Sequence, residues 1–389
     1  MRTQVVIIGG GPAGLLLSQL LHLRGVESVV LEQRARAYVL QRIRAGLLEW
    51  GSVEILRAAG AGERLAREGT LHDGSMIVWA GSRQCLIDTR KYSGKQMVAY
   101  GQTNITEDLY ACRDAMGGRI IDEALHVAPQ GVDTDKPWVS FSKDGQEQRI
   151  DCDFIAGCDG SYGVSRKAIP AAALRTYEKV YPFGWLGIMS ETPPLPEVIY
   201  ANHPRGFALA SQRNPRLSRY YIQCNLDASI SDWPDERFWP ELKRRFPPAI
   251  ADAIVTGPSI EKSIAPLRSF VAEPMSYGRL YLAGDAAHIV PPTGAKGLNL
   301  AIADVYYLSR ALVAFYQDHD SSGLQRYSQT ALKRVWGAVR VSWYLTNLLH
   351  RFPSQSDFDL RMQEQELDFV ANSETAMRSL AEQYVGLPL

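Results

Sequence analysis

The sequence predicts an α/β fold in three parts: a domain on a parallel sheet, an inserted and mainly antiparallel domain, and carboxy-terminal helices. The chain opens with a short β-branched run, Val5 to Ile8, that leads into a glycine cluster. Prolines, aromatics and alternating stretches then fill residues 181–274, as is typical of antiparallel strands. We therefore expect a first domain at 1–180 with a short antiparallel insertion near 70–100, a second domain at 181–274, and a return to the first domain with helices at 275–389.

The glycine cluster predicts a Rossmann-like dinucleotide site. Gly9, Gly11 and Gly14 stand in the G-x-G-x-x-G pattern between the first strand and a predicted helix. The first glycine permits a tight turn, the second lets a pyrophosphate approach, and the third lets helix and strand pack closely. Glu32 ends the next strand, where a carboxylate binds ribose hydroxyls and repels a 2′-phosphate. This favours the ADP half of FAD or NAD, and the alternative is a tight turn that binds nothing.

Composition and charge narrow the class of protein. The 389 residues suffice for two domains, and 42 basic residues balance 42 acidic ones, so no global field favours nucleic acid or an anionic membrane. We find no apolar run near the length of a membrane span and no secretion signal. The five cysteines show neither C-x-x-C nor metal spacing. We expect a cytoplasmic protein with reduced thiols and no metal site.

A basic segment follows Glu32 and contains Arg34, Arg36, Arg42 and Arg44. Such a run is usually a solvated face. Its position beside a pyrophosphate site nevertheless makes Arg44 a candidate phosphate contact.

One hairpin of the second domain groups polar side chains. Ser211 and Arg213 share a strand face because they are two residues apart, and so do Arg219 and Tyr221 across the Asn214-Pro215 turn. Two guanidiniums, a hydroxyl and a phenol in one neighbourhood suit a small organic carboxylate. The alternative is an exposed hairpin with ordinary arginines.

Two later strands end in acidic turns. Asp159 follows a buried-type strand, and Asp285 follows another before a helix that we expect to start near Gly297. The free N–H groups of that helix, with Lys296, would stabilise an isoalloxazine that becomes anionic on reduction.

These motifs together resemble the class A flavoprotein aromatic hydroxylases. The flavin motifs are Gly9 to Gly14, Cys158-Asp159-Gly160 and Leu282 to His288, and the family-specific runs are Ile199 to Ala208, Pro291 to Asn299 and Tyr384 to Pro388. The resemblance covers essentially the whole chain. It implies a Rossmann-like FAD-binding domain with an inserted substrate-binding domain.

The resemblance also implies roles for individual residues. Those implied for non-covalent FAD are Gly9, Gly11, Gly14, Glu32, Arg42, Arg44, Gln102, Asp159, Arg219, Asp285, Lys296, Gly297, Leu298 and Asn299. Those implied for the substrate are Tyr200, Ser211, Arg213, Tyr221 and Pro292, and those implied for NAD(P)H are Arg34, Arg36, Tyr38, Arg44, Tyr162 and Arg268. A proton relay would run from the substrate phenol through Tyr200 and Tyr384 toward His72, with Pro292 and Asn299 also at the reacting centre. Taken alone, His72 reads as an ordinary structural histidine.

The implied reaction is hydroxylation of 4-hydroxybenzoate to 3,4-dihydroxybenzoate with oxygen and NAD(P)H, through a C4a-hydroperoxyflavin, in a homodimer. Two alternatives stay open: a related hydroxylase of another phenolic acid, and a flavin-free binding protein on the same fold. The residues that would recognise the coenzyme depart from the family pattern at Gln33-Arg34 and at Tyr162. Arg34 and Arg36 favour NADPH over NADH.

Overall fold

The computed structural model describes residues 1–41 and 46–389. Its strands are β1 (Val5–Ile8), β2 (Ser28–Leu31), β3 (Leu47–Leu48), β4 (Thr70–His72), β5 (Gly74–Trp79), β6 (Arg83–Asp88), β7 (Met97–Ala99), β8 (Arg119–Ile121), β9 (Leu125–Gln130), β10 (Trp138–Lys143), β11 (Gln146–Asp151), β12 (Phe154–Gly157), β13 (Arg175–Ser190), β14 (Val198–Ala201), β15 (Ala208–Asn214), β16 (Leu217–Cys224), β17 (Ser259–Glu273), β18 (Ser276–Tyr277), β19 (Leu280–Leu282) and β20 (His288–Ile289).

The α-helices alternate with these strands and then dominate the last quarter of the chain. They are α1 (Pro12–His22), α2 (Arg36–Gln41), α3 (Trp50–Ala58), α4 (Glu63–Glu68), α5 (Thr89–Ser93), α6 (Gln102–Ala115), α7 (Asp235–Arg244), α8 (Pro248–Ala253), α9 (Gly297–Asp318), α10 (Ser322–Leu349), α11 (Asp357–Asn372) and α12 (Glu374–Val385).

A six-stranded sheet forms the first layer, in the order β18-β19-β12-β1-β2-β8. Its strands are parallel except for the edge strand β18. Val5 to Ile8 are buried throughout, because α1 packs on this sheet and also contacts α6 and α9. The predicted parallel sheet at the amino terminus is confirmed.

An eight-stranded sheet forms the second layer, in the order β20-β17-β13-β16-β15-β14-β5-β6. It is antiparallel except where β14 runs parallel to β5, which confirms the inserted, mainly antiparallel part. The sequence assigned the region near 70–100 to an insertion in the first domain, whereas β5 and β6 extend this second sheet. That pairing joins segments more than a hundred residues apart, so no local pattern indicates it. The domain boundaries themselves stay a prediction.

Three local expectations can be compared with the structure. The Asp144-Gly145 pair predicts a hairpin over 139–150, and the β10–β11 hairpin turns at these two residues, both with positive φ. The sequence predicts a helix over about 106–116, and that helix begins earlier, at Gln102. The sequence also predicts one helix over about 363–384, which is wrong: α11 and α12 are separate, and the hydroxyl of Ser373 caps the second by accepting the Ala376 N–H.

The long helix α9 is apolar enough, by length and composition alone, to cross a membrane. Most of it is buried, however, and it packs against α1 and α10 within the main hydrophobic core. We therefore assign α9 to the protein interior.

Candidate active site

The β1–α1 turn has the shape that a pyrophosphate site needs. A Cβ at Gly9, whose φ is +111°, would lie 2.3 Å from the carbonyl oxygen of Cys158, and one at Gly14 would lie 2.0 Å from the carbonyl oxygen of Gly9. Both positions therefore require glycine. A Cβ at Gly11 would meet nothing within 4 Å, so the backbone there is open to a ligand.

Glu32 closes one side of this turn. Its two carboxylate oxygens accept the backbone N–H groups of Gly10, at 2.7 Å, and of Arg34, at 2.8 Å. These bonds hold the carboxylate at the carboxyl edge of the sheet and leave lone pairs for ribose hydroxyls.

Asp159 and Asp285 reach the same edge, because β1, β2, β12 and β19 run parallel and end together. One Asp159 oxygen accepts the N–H and the hydroxyl of Ser165, at 2.8 and 2.9 Å. The other is buried without a hydrogen-bond partner among the described residues. Burial raises the pKa of Asp159 despite these bonds. A buried acceptor left unpaired is costly, so this position suits a ligand that donates a hydrogen bond.

A buried His288–Asp304 pair holds the turn at Gly284. Asp304 Oδ2 accepts the Gly284 N–H at 2.9 Å and lies 2.6 Å from His288 Nε2. Burial lowers the pKa of His288, but the Asp304 carboxylate outweighs it, so the net pKa is raised. The sequence analysis included His288 in a motif without assigning it a role. Asp304 gave no signal, because it looks like any helical acid.

Lys296 and Asn299 lie at the start of α9, where they bind protein groups. Lys296 Nζ donates to Glu49 Oε1 at 2.7 Å and to the carbonyl of Tyr384 at 2.8 Å. Asn299 accepts the Glu49 N–H and donates to the carbonyls of Leu47 and Ala295. The geometry differs from the expected ammonium beside the flavin, because the Lys296 charge pairs with Glu49. The first N–H groups of α9, at Gly297 and Leu298, still point from the helix end without helical acceptors.

Three of the side chains implied for the substrate, those of Tyr200, Ser211 and Tyr221, share one face of the second sheet. Tyr200 lies opposite Leu209, which lies opposite Tyr221, and Ser211 lies opposite Arg219. Directly opposed residues of antiparallel strands point to the same face. Ser211, Arg219 and Tyr221 therefore share this face as predicted, whereas the register breaks between Gln212 and Asn214 and does not fix the face of Arg213.

Two guanidiniums on this face differ in their partners. Arg219 lies 2.8 Å from the carboxylate of Glu261 and 4.9 Å from the ring centre of Tyr221. Arg213 donates to the Ser211 hydroxyl at 3.5 Å and to the Gln212 carbonyl at 3.1 Å, and its Nε has no hydrogen-bond partner in the described part of the chain. Within the described residues no carboxylate pairs with Arg213, and burial lowers its pKa. Arg213 is therefore the cation that a carboxylate ligand would satisfy.

A chain of hydroxyls begins at Tyr200. The Tyr200 and Tyr384 hydroxyls lie 2.9 Å apart, and the Tyr384 hydroxyl lies 2.8 Å from that of Ser75. Burial raises the pKa of both phenols. His72, expected at the end of this relay, hydrogen-bonds to Gln212, and the described contacts do not join it to Tyr384. The sequence analysis missed Ser75, because its contact with Tyr384 spans 309 positions.

Pro292 lies in the turn before α9, and Gln102 lies at the start of α6. The Pro292 carbonyl accepts the Ala295 N–H at 3.0 Å, which leaves a second lone pair for a ligand. Gln102 is the first residue of α6 and lies half-buried at the helix start.

The residues implied for NAD(P)H are dispersed. Arg36 makes two bonds to the Asp114 carboxylate, at 2.5 and 2.9 Å, so its charge is compensated. Arg34 is exposed and stacks on Tyr38, 5.2 Å from the ring centre. Tyr162 is 87% exposed, and Arg268 pairs with Glu178 at 3.3 Å. The predictions for Arg42 and Arg44 concern residues outside the described part of the chain.

Comparison with known proteins defines the class. Residues 2–342 match the family model described as an FAD binding domain. The chain therefore belongs to this family and, with its glycine, Asp159 and Asp285 turns, to the class A flavoprotein hydroxylases. It is 50% identical over 389 residues to p-hydroxybenzoate hydroxylase of Acinetobacter baylyi, covering 100% of this chain and 96% of that protein.

More distant relatives share the fold. A 3-(3-hydroxy-phenyl)propionate/3-hydroxycinnamic acid hydroxylase of Burkholderia cenocepacia is 25% identical over 329 residues, which are 78% of this chain and 56% of that protein. The crystal structure of p-nitrophenol 4-monooxygenase from Pseudomonas putida DLL-E4 superposes with a TM-score of 0.82 over 100% of both chains at 18% identity. At that identity the likeness shows the fold alone.

FAD is the cofactor that these residues fit. The glycine turn leaves an open backbone at Gly11, and Asp159 offers a buried acceptor that lacks a donor. The start of α9 offers N–H groups without helical acceptors, which would stabilise negative charge on a reduced flavin.

Proposed function

We propose that the protein is an FAD-dependent monooxygenase that hydroxylates 4-hydroxybenzoate to 3,4-dihydroxybenzoate, with NAD(P)H and molecular oxygen as the other substrates. The observation that carries the proposal is Arg213, a half-buried cation that has no carboxylate partner among the described residues and that contacts Ser211, on the sheet face that also bears Tyr200. Leu209 lies opposite Tyr200, and Ser211 lies two residues farther along β15, about 6.8 Å away at ~3.4 Å per residue. That distance is comparable to the length of a para-hydroxybenzoate between its two polar ends.

In this proposal the protein holds the two ends of the substrate differently. Arg213, Ser211 and Tyr221 bind the carboxylate, and Tyr200 and the Pro292 carbonyl contact the phenol. The aromatic ring is most reactive toward an electrophilic oxygen when the phenol is ionised. Tyr200 favours that form by donating a hydrogen bond to the phenolate, and Tyr384 and Ser75 pass the released proton onward.

Bound FAD supplies acceptance of a hydride from NAD(P)H and activation of oxygen. We propose that Glu32 binds the ribose, that Gly9, Gly11 and Gly14 surround the pyrophosphate, and that Asp159 and Asp285 bind along the rest of the chain of FAD. The α9 start, from Lys296 to Asn299, would face the flavin with its N–H groups. Arg219 would influence the flavin through its charge.

We also propose a homodimer in the cytoplasm. Phe358, Met362 and Phe369 lie at helical spacing along one side of α11 and are 70%, 45% and 56% exposed. An apolar stripe on one helix is typical of a subunit interface. Five free thiols fit a reducing compartment. Sedimentation of the native protein and of a Phe358→Ser, Phe369→Ser variant tests the dimer, and a monomer in both cases would overturn it.

The experiment that tests the function uses purified, FAD-loaded protein. NAD(P)H oxidation and product are measured with 4-hydroxybenzoate, 3-hydroxybenzoate and 4-hydroxyphenylacetate in turn. The proposal predicts 3,4-dihydroxybenzoate in near-equal amount to the coenzyme oxidised, with 4-hydroxybenzoate only. Coupled product from another acid alone would favour a related hydroxylase, and a colourless protein that cannot take up FAD would favour a binding protein.

A further inference from the structure

A buried imidazole packs on the same face of the second sheet as the substrate residues and has no part in the chemistry described above. His350 follows the last residue of α10 and is 0% exposed. Its Nδ1 lies 2.9 Å from the Thr346 carbonyl, and its Nε2 lies 2.8 Å from the indole Nε1 of Trp185. Since an indole N–H can only donate, Nε2 carries no proton and Nδ1–H donates to the carbonyl. His350 is thus a neutral imidazole in one tautomer.

The imidazole is also part of a stack of parallel rings. Its plane lies within 5° of Phe183, at 4.8 Å between centres, and within 20° of Phe207, at 4.3 Å. Phe207 in turn stacks on Trp185 at 4.8 Å and 14°. Ring stacking and a charge-free hydrogen bond together fix the orientation of Trp185 and Phe207.

These two rings contact the two polar ends of the proposed pocket. The ring centre of Trp185 lies 5.0 Å from that of Tyr221, which we propose binds the substrate carboxylate. The ring centre of Phe207 lies 6.1 Å from that of Tyr200, the first residue of the proton relay. His350 therefore packs against the two rings that contact the two ends of the proposed substrate pocket. The backbone after it is also held, because Gln223 donates to the Arg351 carbonyl.

We infer that His350 is a positioning residue for the hydroxylation: it holds Trp185 and Phe207 so that the substrate ring stays aligned between Tyr221 and Tyr200. The inference rests on the proposed function, and its consequence is a specific one. Loss of the acceptor leaves the Trp185 indole N–H buried and unpaired. Trp185 and Phe207 are then held less firmly, which reduces the product formed per coenzyme oxidised more than it reduces the binding of FAD.

The test compares four variants. His350→Leu removes the acceptor, His350→Gln keeps an acceptor oxygen, Trp185→Phe removes the donor, and the double variant removes both. The control is Tyr344→Phe, which removes a hydrogen bond to Glu366 from the same helix α10. Each protein is examined for 3,4-dihydroxybenzoate formed per NAD(P)H consumed, and for its indole N–H signals by ¹H–¹⁵N NMR.

We expect the Trp185 indole signal, identified by its absence in Trp185→Phe, to shift and to exchange faster with solvent in His350→Leu. The product ratio should fall about fivefold there, the factor that ~1 kcal/mol represents at 25 °C. It should largely recover in His350→Gln and be unchanged in Tyr344→Phe. The double variant should be no worse than Trp185→Phe alone, because both changes remove one bond.

An unchanged indole signal in His350→Leu would refute the bond, and an altered signal with wild-type coupling would refute the positioning role. If the product ratio of the double variant fell by the combined effects of the two single variants, His350 would act independently of Trp185. Wild-type protein that binds FAD but forms no 3,4-dihydroxybenzoate would refute the proposed function instead, and the indole signals would still decide the contact.

Discussion

Arg213→Ala is the substitution that most sharply tests how the substrate is held. In the free protein the Arg213 side chain is half-buried, donates to the Ser211 hydroxyl and the Gln212 carbonyl, and pairs with no carboxylate among the described residues. A benzoate would supply that missing partner. The substitution should therefore weaken binding of 4-hydroxybenzoate while leaving the flavin site intact.

The magnitude follows from the bonds lost. Each charge-assisted hydrogen bond contributes ~1.5–3 kcal/mol, and an arginine can offer two to a carboxylate. Ser211 and Tyr221 remain to hold part of the charge. We expect a loss of about 3 kcal/mol, or roughly a hundredfold in Kd.

The same burial predicts the opposite effect on the free protein. A half-buried charge without a carboxylate partner costs free energy, so Arg213→Ala should not lower the free energy of unfolding in the absence of substrate. Affinity is measured by titrating the flavin absorbance, and stability by denaturant unfolding. Arg216→Ala, at the exposed tip of the same hairpin, is the matched control. An unchanged Kd for Arg213→Ala would refute the assignment.

Three further predictions address the relay, the coenzyme and pH. In Tyr384→Phe, bound 4-hydroxybenzoate should ionise at higher pH, and the enzyme should release more hydrogen peroxide per coenzyme oxidised. A spectral titration that shows the wild-type fraction of bound phenolate at neutral pH would count against the relay. Arg34→Ser should reduce an NADPH preference of about tenfold in kcat/KM, whereas Arg36→Ser should change it less because Asp114 already binds that side chain. Equal use of NADH by the unaltered protein would contradict this. The raised pKa of His288 means that its ion pair stabilises the fold fully below the unfolded pKa of ~6.5 and is lost as pH rises through the folded value. Stability should therefore fall above neutral pH less steeply in His288→Asn, and equal slopes in denaturant unfolding would disprove it.

The sequence could predict what is local. A β-branched run, three spaced glycines and a terminal acid define a strand, a turn and a helix, and the structure contains them as β1, Gly9 to Gly14 and α1. The shared face of Ser211 and Arg219 follows from strand periodicity across one turn. Such features depend on residues that are close in the chain.

What the sequence missed depends on distant pairing. β5 joins β14 in the second sheet, Ser75 meets the Tyr384 hydroxyl, and Lys296 binds Glu49, each across more than a hundred positions. The lysine illustrates the reason. Its place at a helix start suggested a free charge beside a ligand, but only the folded chain shows the acid that neutralises it.

The most direct test of the central claim is turnover in ¹⁸O₂ with FAD-loaded protein, NADPH and 4-hydroxybenzoate, followed by mass spectrometry of the product. The account predicts 3,4-dihydroxybenzoate with one oxygen atom from O₂ in its new hydroxyl, in near-equal amount to the NADPH oxidised. Product without the label, or oxidation of NADPH that yields only hydrogen peroxide from a protein with bound FAD and substrate, would contradict it.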